Sequence, residues 1–136
     1  MQETLDLIST FYDDISVKYS NYHNKVTSPS IIKAVFKKVN NQQIINKYTE
    51  LLHRLNEIKK ESLSLPESVL KDHFLMELDY FKSILDSEIN LYISKDTAPI
   101  DTVKYLSNRI LQVQKEFLEF DSVFRVLIQE EMKNNK

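Results

Sequence analysis

Residues 100–133 read IDTVKYLSNRILQVQKEFLEFDSVFRVLIQEEMK, with Val103, Leu106, Ile110, Val113, Phe117, Phe120, Phe124 and Leu127 at alternating spacings of three and four. At 3.6 residues per turn such positions gather into one apolar stripe, which predicts a long amphipathic helix with one face in a core. The same spacing runs through Leu5, Ile8, Tyr12, Ile15, Tyr19, Tyr22 and Val26 and predicts a helix over about residues 3–26. Leu70, Phe74, Leu78, Phe81, Leu85, Ile89 and Tyr92 predict another over about residues 67–94. Between residues 29 and 65 the stripe is interrupted. Val35, Phe36 and Val39 are followed by Asn40-Asn-Gln-Gln43 before Ile44, Tyr48, Leu51, Leu55 and Ile58 resume it, so a kink or break is expected near Asn40.

The three prolines punctuate these stripes. Ser28-Pro29 reads as a helix cap followed by a first helical residue, Ser64-Leu-Pro-Glu67 has the spacing of a capping box, and Thr97-Ala-Pro99 offers a third hydroxyl. Four amphipathic helices joined by short connections bury their stripes most simply around one core. The expected fold is therefore a single all-α domain over residues 1–136, an elongated four-helix bundle running up-down-up-down. Charge supports the pairing of neighbours. Residues 29–65 hold seven Lys or Arg against three acids, and residues 66–98 hold three against seven.

Composition removes whole classes of function. The chain has no glycine, so phosphate-cradling loops of the dinucleotide and P-loop types are excluded. It has no cysteine, which excludes disulfides, thiolate metal sites and a thiol nucleophile. The start, Met1-Gln-Glu-Thr-Leu-Asp6, lacks the basic and apolar regions of a secretion signal, and no apolar run approaches the roughly 20 residues needed to span a bilayer. A cytoplasmic protein with no membrane insertion is expected. The net charge of −2 gives no global bias toward nucleic acid.

Few residues suggest chemistry. Glu50-Leu-Leu-His53 has the spacing of one half of a di-iron carboxylate site, but no second such motif exists, so no metal or other cofactor is expected. His73 stands one turn before Glu77, where an exposed pair on one helix face is expected. The string His53-Arg-Leu-Asn-Glu-Ile-Lys59 resembles the phosphoacceptor helix of histidine kinases and phosphotransfer domains, without the glycine that often follows the histidine there. That resemblance implies a phosphate on His53 flanked by Arg54, Asn56 and Lys60. Lys33, Lys37, Lys38 and Lys47 form a basic run that could meet phosphate backbones, although lysine outnumbers the arginine that groove readers favour.

With no catalytic constellation, the reading is a non-enzymatic module that binds another protein: an inhibitor, immunity factor, adaptor or small regulatory subunit. Tyr12, Asp13, Asp14, Tyr19 and Tyr22 are the candidate contact face, because tyrosine is enriched at interface hot spots. A nucleic-acid binder through the lysine run and a phosphotransfer protein through His53 are the alternatives. A homodimer is compatible with the additional apolar residues Tyr105, Leu111, Leu118, Val126 and Ile128.

Overall fold

The computed structural model describes residues 1–27 and 40–134. The first rod is continuous: α1 (Gln2–Phe11), a π-helical turn (Tyr12–Ser16) and α2 (Val17–Thr27). Three further rods follow: α3 (Asn41–Leu63), α4 (Val69–Ser94) and α5 (Ile100–Asn134). No strand occurs among the described residues. At 1.5 Å per residue α5 is about 52 Å long, so the body is elongated.

Side-chain contacts fix the topology. Phe81 meets Phe117 and Phe74 meets Phe124, so α4 and α5 run antiparallel. Tyr48 meets Tyr92 while Lys59 meets Asp79, so α3 and α4 are antiparallel as well. Tyr22 meets Tyr48 and Asp14 meets Arg54, which sets the first rod against α3. Tyr12 and Tyr19 reach Asp121 and Gln114, which closes the ring by setting the first rod antiparallel to α5. The result is the up-down-up-down four-helix bundle. Its core is aromatic, with Phe11 edge-on to both Phe74 and Phe81 and all three fully buried.

Local chemistry sets the ends. Asn40 is extended (φ −76°, ψ 162°); its side chain accepts from the Gln43 amide while the Gln43 side chain accepts from the Asn40 amide. This reciprocal box makes the expected break a helix start. The Ser28-Pro29 cap and the segment after it lie outside the described residues. At the next junction the expected box is displaced. Ser64 stays helical (φ −87°, ψ −6°) and closes α3, whereas Ser68 is extended (φ −163°, ψ 162°) and accepts from the Lys71 amide. Glu67 instead pairs with Lys71 Nζ at 2.6 Å. The buried Lys71 ammonium also donates to the Leu63 and Leu65 carbonyls, supplying donors where α3 leaves its last carbonyls without intrahelical partners.

The π-turn alters the first stripe. Phe11, absent from the expected series, is fully buried, and Tyr12 beside it is half-buried. An i→i+5 turn adds a residue to one helical repeat, which lets both adjacent aromatics face the bundle.

Candidate functional site

Two layers of polar groups cross the apolar core. In the first, the π-turn brings the Tyr12 hydroxyl 2.9 Å from Glu77 Oε2 and 2.7 Å from Asp121 Oδ1. Arg125 Nε donates to Asp121 Oδ2 at 2.7 Å, and its guanidinium lies 4.5 Å above the Tyr12 ring. Glu77 is wholly buried and Asp121 nearly so. A phenol carries one proton, yet its oxygen touches two carboxyl groups, so a second proton belongs to this cluster. Charge assigns it. Arg125 balances one carboxylate, Asp121, and a second buried charge would have no counterion.

Burial first, then the hydrogen bond shared with Asp121, pushes the Glu77 carboxyl up to about 9, so it stays neutral at physiological pH. Burial also opposes ionisation of Asp121, but bonds from Glu77, Arg125 and Tyr12 outweigh it and hold that carboxyl below its usual range. Burial and then Asp121 push the Tyr12 phenol well above the usual tyrosine range. Glu77 Oε1 has no hydrogen-bond partner among the described residues.

The second layer surrounds Glu88. Tyr19 donates to Glu88 Oε1 at 3.3 Å and accepts from Gln114 Nε2 at 2.8 Å. His23 stacks on Tyr19 with its Nδ1 3.6 Å from Glu88 Oε1. Burial and then Glu88 raise the phenols of Tyr19, Tyr48 and Tyr92, the last to about 12. Both layers therefore hold protons rather than offer a phenolate base.

The candidate residues scatter. Tyr19 is buried and the Tyr12 hydroxyl points inward, because each phenol answers a buried carboxyl group; Tyr22 is half-buried against Tyr48. The tyrosines of the candidate contact face thus lie mostly in the interior, as their place on the apolar stripe implies, leaving Asp13 exposed and Asp14 paired with Arg54 at 3.3 Å. Lys33, Lys37 and Lys38 lie outside the described residues, and Lys47 sits 3.9 Å from Glu50. His53 is exposed. His73 does not form the expected surface pair, since Glu77 turns into the core; its Nδ1 is instead 2.9 Å from the Val69 carbonyl and its ring stacks on Phe120. Among the described residues no group of three or more His, Asp or Glu side chains is placed to hold a metal ion, and no helix is long and apolar enough to cross a membrane.

What stands open is the outer face of α5. Tyr105, Leu111, Leu118 and Val126 are exposed there by 68%, 65%, 62% and 54%, joined by Val123 at 61%. Ile128, the fifth residue of the expected apolar set, is half-buried beside a groove of ≈ 580 Å³ between α1 and the end of α5, which reaches inward to Tyr12 and Arg125. No protein-family model matches the sequence, and no curated protein or solved structure matches it significantly.

Proposed function

We propose that this chain is a non-enzymatic, cytoplasmic interaction module that binds another protein, in the manner of an inhibitor, immunity factor, adaptor or small regulatory subunit. The observation that carries this reading is the outer face of α5, where Leu111, Leu118 and Val126 remain more than half exposed although the described helices already share one core. Isolated exposed apolar residues are ordinary, but a row of them along one long helix is the form of a helix-mediated contact. Burying such a row releases roughly 25 cal/mol for each Å² of apolar surface removed from water. The internal polar layers support the same reading by fixing which face each helix turns outward, since a buried acid without its phenol partner is costly.

The test is affinity capture from host lysate at low and high salt, with nuclease-treated controls, comparing the wild type with Leu111→Glu/Leu118→Glu. One protein held at both salts by the wild type and lost by the variant, with helicity unchanged, is the expected result. Equal capture by the variant, or recovery of nucleic acid at low salt alone, would defeat this reading.

A further inference from the structure

The occupant that fits the outer face of α5 can be read from its charges. At 3.6 residues per turn, the side opposite the buried Ile110, Val113, Phe117 and Phe124 presents Asp101, Lys104, Lys115, Glu119, Glu130 and Lys133. All are exposed, and among the described residues none of them makes an ion pair. Their order along the helix is antisymmetric about the level of Phe117. Lys115 and Glu119 stand at equal distances on either side of that level, as do Lys104 and Glu130, and again Asp101 and Lys133. Each such pair is of opposite sign. The exposed apolar residues do not share this order: Leu111 stands level with Val123, but Tyr105 stands opposite Gln129, Leu118 opposite Glu116 and Val126 opposite Asn108, so the charges alone define the centre.

We infer that the outer face of α5 pairs with the same face of a second copy of this chain, antiparallel, about a two-fold axis level with Phe117. The inference rests on the reading of this face as an interface and names its occupant. Across the axis Lys115 meets Glu119 of the partner subunit and Lys104 meets Glu130 of the partner subunit. Symmetry makes every contact twice, as an isologous interface requires. Complementary charges set the orientation of paired helices, and the antiparallel arrangement also opposes the two helix dipoles. A parallel pairing in register would instead set each charge against its own copy.

Lys104 and Glu130 lie about 39 Å apart along one helix, so they cannot meet within a single molecule. This makes charge exchange decisive. In sedimentation velocity over a concentration series, the wild type is expected to dimerise, more strongly at low salt. Lys104→Glu alone and Glu130→Lys alone should each weaken the dimer by about tenfold, because symmetry reverses the pair twice. An equimolar mixture of the two variants should regain wild-type affinity as a heterodimer, with circular dichroism unchanged throughout. A wild type that stays monomeric overturns the inference but leaves the protein-binding reading to the lysate experiment. A dimer indifferent to both substitutions, or a mixture no tighter than either variant alone, overturns it as well.

Discussion

Titrating the chain from mildly acidic to alkaline pH should weaken the fold through Glu77, and Glu77→Gln should remove that weakness. The carboxyl titrates near 9 in the folded protein against an ordinary 4.5. Below the ordinary value both folded and unfolded chains hold the proton, and the contribution of the buried acid is fully present. Above it only the folded chain holds the proton, so stability falls by about 1.4 kcal/mol per pH unit until Glu77 ionises within the fold. Across that window the loss is several kcal/mol, a large part of the roughly 5–15 kcal/mol that holds a domain together. Glutamine has nearly the same shape, and its amide can donate where the protonated acid donates and accept where it accepts. Urea unfolding at about pH 6, 7, 8 and 9 measures the effect as a midpoint that falls steadily for the wild type and stays much flatter for Glu77→Gln. Asp121 is held below its usual range and Tyr12 well above its own, so neither partner of Glu77 ionises across this pH range and the difference between the curves reports Glu77. Parallel curves would refute the argument that the cluster holds a second proton.

Tyr12→Phe should cost about 1–3 kcal/mol in the same assay at neutral pH, since it leaves the Asp121 and Glu77 oxygens without their shared hydroxyl; a cost near zero would mean that water replaces it freely. Arg125→Ala should cost about 2–3 kcal/mol by removing the counterion of a buried carboxylate. The depressed pKa of Asp121 gives stability that is present above its ordinary value and lost as pH falls through the folded one, so the same variant should also unfold at a less acidic pH. Phe117→Ala should cost about 3–5 kcal/mol, because the ring is buried edge-on to Phe81; less than about 1 kcal/mol in chemical unfolding would show that α5 sits in another register.

Most of the fold was legible because apolar period and proline position are local signals. The stripe Ile110, Val113, Phe117 and Phe124 is buried as its spacing requires, and the break at Asn40 follows from a run of residues whose side chains compete for backbone amides. The cap of α4 was misplaced because Ser64 and Ser68 both flank Pro66, and only backbone conformation decides between them: an N-cap must be extended, and Ser64 is still helical. The π-turn carried no sequence signal that periodicity could register, so Phe11 was missed.

The buried acids were harder to see, but their spacing does contain a clue. Glu77 and Glu88 are three residues beyond Phe74 and Leu85, on the stripe itself, and Asp121 falls between Phe117 and Phe124. Tyr12 and Tyr19 are two turns apart on the first rod, at the same levels. A carboxylate on an apolar stripe normally argues against burial, and it becomes tolerable only where a phenol or guanidinium on another helix reaches it. Each polar layer therefore requires a particular pairing and register of three helices. Sliding α5 by one turn would separate Asp121 from Tyr12 and Gln114 from Tyr19 together. The layers thus specify how the bundle closes, and the same register that buries Asp121 turns Leu111, Lys115 and Glu119 outward. Core chemistry and the open face of α5 are in this way two consequences of one alignment, and a substitution that disrupts the Tyr12 cluster should also disturb whatever docks on α5.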